Sequence, residues 1–270
     1  MKKRVHPAWI AAAVTFLTLV ANAGFRSAPS VLIIPLQDAF GWSRADISLA
    51  VSVNVLLFGL TAPFAAALME RFGIRRVVMT AETVVGLGAL ATIYIQKPWH
   101  LVALWGVVVG MGTGSMALVF AATVANRWFI KRKGLVIGGL TAAAATGQLI
   151  FLPGLSWLAV HHGWKSVSIV VGCASLIMVP IIFLFLKESP KHINQVPYGA
   201  DHSYEHPQLL KTNAGKLAIQ TLKDSLPKRD FWYLVGSFFV CGLSTSGLIG
   251  THLIAAGHDH GMSEVVAASL

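Results

Sequence analysis

Charge is what this 270-residue chain has least of: charged residues make up 12% of it, where an ordinary soluble chain carries about 25%. Acids are scarcer still, with 11 Asp and Glu against 21 Lys and Arg. A soluble domain of this length could not cover its surface with so little polar material. A disordered chain is excluded from the other side, because disorder goes with low hydrophobicity and high charge, whereas 55% of these residues are hydrophobic. With only 2 cysteines, a disulfide-stapled secreted domain is excluded as well. What remains is an integral membrane protein, and its long apolar runs make it an all-α polytopic one.

The hydrophobic residues fall in runs long enough to cross a bilayer, which takes about 20 residues of helix. Six runs come first: Pro7 to Leu36, Ala45 to Met69, Val77 to Ile95, Trp99 to Asn126, Gly134 to Val160 and Trp164 to Leu186. The polar stretch 187–230 separates them from a seventh, Phe231 to Ala256. The expected organisation is therefore an N-terminal six-helix bundle (1–186), a cytoplasmic connector (187–230) and the start of a second bundle (231–270). Beyond Met262 another apolar helix begins and reaches only Leu270, so the chain reads as cut short of a larger fold. Ala21-Asn22-Ala23 imitates a signal-peptidase site, but the apolar character continues to Leu36, and the first run reads as a retained span.

Lysine and arginine set the expected orientation, since they collect on the cytoplasmic side. With the N-terminus inside, the inner segments hold Lys2, Lys3, Arg4, then Arg71, Arg75, Arg76, then Arg127 and Lys131-Arg132-Lys133, and finally the basic connector. The outer loops hold only Arg44, Lys97 and Lys165. This asymmetry accounts for the net charge of +10 without any nucleic-acid partner. In a bacterium the site would be the inner, or cell, membrane. In the connector, Leu210, Leu217, Ile219, Leu222 and Leu226 recur at helical spacing with Lys211, Lys216 and Lys223 between them. That pattern suits a cationic helix lying on anionic lipid, and a mobile linker is the alternative reading.

Between the second and third spans stands Ala66-Ala67-Leu68-Met69-Glu70-Arg71-Phe72-Gly73-Ile74-Arg75-Arg76. It resembles the signature loop of the major facilitator superfamily, G-x-L-x-D-R-x-G-R-R, with Ala66 in place of the leading glycine and Glu70 in place of aspartate. The resemblance implies a twelve-span transporter of two six-span halves, with Glu70, Arg71, Gly73, Arg75 and Arg76 forming a cytoplasmic gate. Further segments narrow it: Gly24-Phe25-Arg26-Ser27-Ala28-Pro29, Phe40-Gly41-Trp42-Ser43-Arg44, Asn126-Arg127-Trp128-Phe129, Gly250-Thr251-His252 and Asp259-His260-Gly261. Together these resemble the monocarboxylate-transporter and oxalate/formate-antiporter branch. What that implies is alternating-access transport of a small organic anion, by symport with a proton or by exchange for a counter-anion. No cofactor and no metal is expected.

Within the spans, Arg26 carries the most information. An arginine at mid-span costs about 2.5–3.5 kcal/mol on insertion scales, so it is expected to face a wet cavity or a partner. Thr15, Thr18, Asn22, Arg26 and Ser30 form one polar stripe on the first helix, and a guanidinium there could hold a carboxylate bidentately. A structural arginine bonded to a helix end is the competing reading. Asn54, Gln148 and His252 are the other expected lining residues, although such side chains also serve as polar contacts between membrane helices. Glu82 is an acid well inside a span; it is either a proton relay or a local partner of Arg75 or Arg76. Ser43-Arg44-Ala45-Asp46 reads as a capping box, and Gly106, Gly110 and Gly114, like Gly134 and Gly138, as close-packing surfaces.

Two other readings compete with a transporter. The 10 histidines raise a membrane metalloenzyme, but His202 and His206 fall on the opposite side of the membrane from His258-Asp259-His260 and could not share a metal with them. No enzyme activity is expected. The second reading is an inactive or partner-requiring fragment of the transporter.

Overall fold

In a bilayer a backbone has no water to bond, so each long apolar run must close its hydrogen bonds within itself and becomes a helix. The computed structural model describes residues 6–116, 118–200 and 214–269. Seven helices in it are long and apolar enough to cross a membrane. They are α1 (Pro7–Phe40), α2 (Arg44–Phe72), α3 (Ile74–Tyr94), α4 (Pro98–Trp128), α5 (Lys133–His162), α6 (Trp164–Phe185) and, after the connector helix α7 (Ala214–Ser225), α8 (Arg229–Asp259). A short turn, α9 (Glu264–Ala267), follows. The helices overrun most of the apolar runs by a few residues, because caps extend a helix past its hydrophobic stretch. Lys2, Lys3, Arg4, His202, His206, Leu210 and Lys211 lie outside the described residues, as do the side chains of Lys216 and Leu217.

Local chemistry sets the ends. Pro7 occupies the first turn of α1, where its missing N–H costs nothing, and His6 Nδ1 accepts from the Ala8 N–H at 3.2 Å. The expected capping box opens α2: Ser43 Oγ accepts from the Asp46 N–H and Asp46 Oδ2 from the Ser43 N–H, each at 3.2 Å. α2 turns into α3 through one residue, Gly73, whose φ of 94° and ψ of 150° suit glycine alone.

α1 is the most enclosed span, packed chiefly on α5 and α6, while α3 packs on α6 and α4. The pair α2–α4 shows how the sequence sets helix spacing. Gly106, Gly110 and Gly114 lie against Ala50, Asn54 and Phe58, one four-residue stripe on another. A β-carbon at Gly114 would come within 2.6 Å of the Phe58 carbonyl oxygen, and one at Gly110 within 2.9 Å of the Asn54 backbone. Gly134 and Gly138 differ: both face open space, so they pack against nothing among the described residues. Part of α4 (Val102–Val109) and part of α8 (Gly242–Ile249) run as π-helix, which apolar periodicity does not signal. The connector helix α7 packs against α2 and leaves Ile219, Leu222 and Leu226 at or beyond its surface, all exposed.

The basic loops gather at one end of the bundle, called here the basic end. There the connector folds back: the Tyr198 N–H donates to the Trp128 carbonyl at 2.8 Å and the Ile130 N–H to the Tyr198 carbonyl at 3.0 Å. Trp9, Phe129 and Tyr198 close over this join edge to face.

Candidate functional site: a cavity under Arg26

α1, α2, α4 and α5 enclose a cavity of about 130 Å³. Its wall is mostly apolar, from Leu19, Ala23, Phe58, Met116, Leu140 and others, with Asn22, Arg26, Thr113 and Thr141 as the polar members. Thr113 and Thr141 turn their hydroxyls back onto Val109 and Ile137 carbonyls of their own helices. The polar stripe of α1 behaves likewise: Thr15 bonds Ala11 O, Thr18 bonds Val14 O and Ser30 bonds Ser27 O, all three buried. Asn22 and Arg26 are therefore the stripe members that the cavity receives.

Arg26 lies with its guanidinium carbon 5.1 Å from the centroid of the Phe58 ring, a cation–π distance. Among the described residues it has no carboxylate within ion-pair reach and no hydrogen-bond acceptor. It is thus a mid-span cation stacked on an aromatic face at the cavity wall, with five N–H donors that no described acceptor takes up. One turn below, Asn22 Nδ2 donates to Thr18 O at 3.2 Å and to Glu82 Oε1 at 3.1 Å.

At the basic end the signature loop is held by a residue outside it. Glu188, just beyond α6, sits over Gly73, where a β-carbon would fall 2.6 Å from its carboxyl. Arg127 Nη2 donates to the Met69 carbonyl at the end of α2, at 3.4 Å, within electrostatic reach of Glu188 and Glu70. Arg75 stacks on Phe183 at 4.2 Å and Arg71 on Phe72 at 5.1 Å. At the far end, Arg44 makes a two-pronged ion pair with Asp259, 2.6 and 2.7 Å, and donates to Gln37 Oε1 at 3.1 Å.

The model of the Major Facilitator Superfamily matches residues 14–270. This chain belongs to that superfamily. Among curated relatives, the uncharacterised MFS-type transporter YcxA of Bacillus subtilis is 25% identical over 268 residues, which is 95% of this chain and 59% of YcxA. Monocarboxylate transporter 7 of Homo sapiens is 29% identical over 197 residues, 69% of this chain and 37% of that protein. The chain thus spans less than two thirds of the length of these relatives. A crystal structure of a D-xylose-proton symporter shares the fold with a TM-score of 0.66 over 97% of this chain and 64% of that one, at 14% identity.

Within this major facilitator fold the expected lining residues separate. Arg26 reaches the cavity. Asn54 does not: its Nδ2 donates to the Trp105 carbonyl at 2.7 Å, joining α2 to α4. Gln148 is exposed on α5, on the face of Thr141 and two turns along, and is not among the residues around the cavity. His252 is half-buried on α8, also away from it. Glu82 does not meet Arg75 or Arg76; it turns inward to Asn22 and Ser175. Of the signature loop, Gly73 makes the turn, while Glu70 and Arg76 are exposed and form no ion pair among the described residues. Asp259, read in sequence as part of a His-Asp-His cluster, is engaged by Arg44. Sequence reasoning missed Phe58, Glu188 and Ser175. Only Glu188 left a signal, as an acid beside a cluster of arginine loops.

Proposed function

We propose that the chain is the N-terminal part of a secondary transporter that moves a small organic anion of the monocarboxylate class by alternating access. The observation that carries this reading is Arg26: a mid-span guanidinium, stacked on Phe58 and otherwise unpartnered among the described residues, at the wall of an apolar cavity. A site with one fixed cation and apolar walls suits a small carboxylate, since the guanidinium fork matches the carboxylate and the walls match a short carbon chain. Such sites lie between the halves of the fold, near mid-membrane. The name of monocarboxylate transporter 7 supports the substrate class. The basic end faces the cytoplasm in this proposal, as lysine and arginine favour, and Gly73, Glu188, Arg75 and Arg127 act there as the hinge and gate.

A partner-requiring reading is favoured by α8. Ser237, Ser244 and Thr245 are exposed on it, and small hydroxyl residues of this kind are what packs against a neighbouring membrane helix.

The test is uptake of radiolabelled small carboxylates into proteoliposomes, for this chain, for a version continued through the remaining spans, and for that version with Arg26→Ala. Uptake by the continued form that falls at least tenfold with Arg26→Ala is the expected result. Uptake that survives the substitution sinks the anion site on α1.

A further inference from the structure

Behind the cavity wall, between α1, α3, α4 and α6, lies a carboxyl group with no cation. Glu82 on α3 is fully buried. Asn22 Nδ2 on α1 donates to its Oε1, and Ser175 Oγ on α6 touches its Oε2. The same Ser175 Oγ lies 2.9 Å from the backbone carbonyl of Glu82. From α4 the Met116 sulfur meets the same Asn22 Nδ2, at 3.6 Å. Charged groups on these elements are few. α1 brings Arg26, one turn from Asn22 and stacked on Phe58, and Asp38 near its far end, where α4 carries His100. α3 carries Arg75 and Arg76 near its basic end, with Glu70 and Arg71 just before it; α4 carries Arg127, bonded to Met69 O, and α6 has Lys165 at its far end and Glu188 beyond its basic end. The Cys173 thiol, two residues from Ser175, is exposed on another face. None of these forms an ion pair with Glu82 among the described residues.

Hydrogen counting then bears on the state of the carboxyl. Ser175 has one hydroxyl hydrogen and faces two oxygens of Glu82. If the hydrogen goes to the backbone carbonyl, the contact with Oε2 needs a hydrogen from the carboxyl itself. A protonated carboxyl supplies it, donating to Ser175 Oγ. Burial without a cation favours the same neutral form, because an isolated carboxylate removed from water takes up a proton instead.

We propose that Glu82 is a proton-carrying site, holding its proton on Oε2 against Ser175 and exchanging it with water of the Arg26 cavity past Asn22, which holds the carboxyl in place. On release the O–H bond at Oε2 breaks and the proton passes to water in the cavity. Ser175 then swings its hydrogen from the backbone carbonyl to Oε2, and Asn22 Nδ2 stays on Oε1, so the carboxylate keeps two donors. Asn22 belongs at once to Glu82 and to the cavity wall. Its Oδ1 is buried without a partner among the described residues, an acceptor not yet committed to any group there. The inference rests on the reading of the cavity as an anion site: a negative Glu82 behind Asn22 opposes an anion at Arg26, whereas a neutral one does not. Proton and anion are therefore favoured together, with Asn22 as the positioning residue between them.

The test is infrared spectroscopy on the purified 270-residue chain across a pH titration, read at the carbonyl stretch of a protonated carboxylic acid. The expected spectrum has this band at neutral pH, loses it in Glu82→Gln, and loses it as pH rises. Ser175→Ala, which removes a donor to the carboxylate, moves the midpoint to higher pH and serves as a second variant if Glu82→Gln does not fold. Absence of the band at neutral pH, or its survival in Glu82→Gln, overturns the proposal. Acetate is the probe of the anion site: saturating acetate moves the midpoint upward in the parent chain and leaves it unmoved in Arg26→Ala. A midpoint indifferent to acetate in the parent overturns the anion reading of the cavity, while the proton site still stands or falls on its own band.

Discussion

Gly73 is where a single residue type is imposed by two independent demands. Its φ of 94° with ψ of 150° lies in a region that is essentially closed to residues with a β-carbon. That carbon would also land on the Glu188 carboxyl. Gly73→Ala is expected to cost about 1–3 kcal/mol from the backbone alone, and to push Glu188 off the turn. Thermal unfolding in detergent checks the loss. Glu188→Ala combined with Gly73→Ala separates the two demands, since it removes the clash and leaves the backbone strain. A double variant as stable as Gly73→Ala alone would mean that the carboxyl moves aside freely. Arg26 presents the opposite case at this scale: nothing in its backbone is special, and its meaning comes from the expense of a charge at mid-span and from the absence of an acidic partner among the described residues.

At the scale of the helix, the glycines of α4 and α5 show how far a spacing rule reaches. Both sets recur every four residues, yet Gly110 and Gly114 touch the backbone of α2 while Gly134 and Gly138 touch nothing described. Gly114→Ala is expected to cost about 1–3 kcal/mol, the range for overpacking a close contact, and to shift Phe58 beneath Arg26. Gly138→Ala meets no obstacle and should gain about 0.5–1 kcal/mol through helix propensity. Equal melting temperatures for the two variants would contradict the α2–α4 contact. The contrast also marks what the sequence makes legible. Run length identifies the seven spans of the described residues, because it is a property of a helix against its solvent. The Ser43–Asp46 cap is legible because its partners are three residues apart. The cavity is not, since Phe58, Met116 and Ser175 come to α1 and α3 from distant helices, and no period in the chain encodes that meeting. Glu82 illustrates the limit. A local partner was the natural expectation, but Arg75 lies about 10 Å away along the helix axis and stacks on Phe183, while Asn22 and Ser175 are supplied by tertiary packing.

Taken as a whole, the molecule is joined unevenly at its two ends. From Arg229 to Gly250 no described side chain of α8 is buried; only Thr251, Ile254 and Ala255, near its far end, pack inward, where α8 meets α1. The Arg44–Asp259 pair adds a clasp from α2 at that same end. Both partners are nearly half exposed, 43% and 47%, so water and salt weaken their attraction. The two-pronged geometry supplies direction rather than great strength. A weak, directional contact suits the opening and closing that the proposed alternating-access cycle would require of this junction. In Arg44→Ala, α8 should drift from the bundle at this end and keep its helical form. Spin labels at positions 97 and 260, with Cys173 and Cys241 replaced, would read the gap as a distance distribution. The parent should give a narrow distribution that broadens at high salt; Arg44→Ala should give a broad and longer one at any salt. Exchanging the charges, Arg44→Asp with Asp259→Arg, should restore the narrow one. A distribution indifferent to all three changes would show that the apolar contacts of Ile254 and Ala255 hold α8 in place by themselves, with the ion pair only resting on a junction already closed.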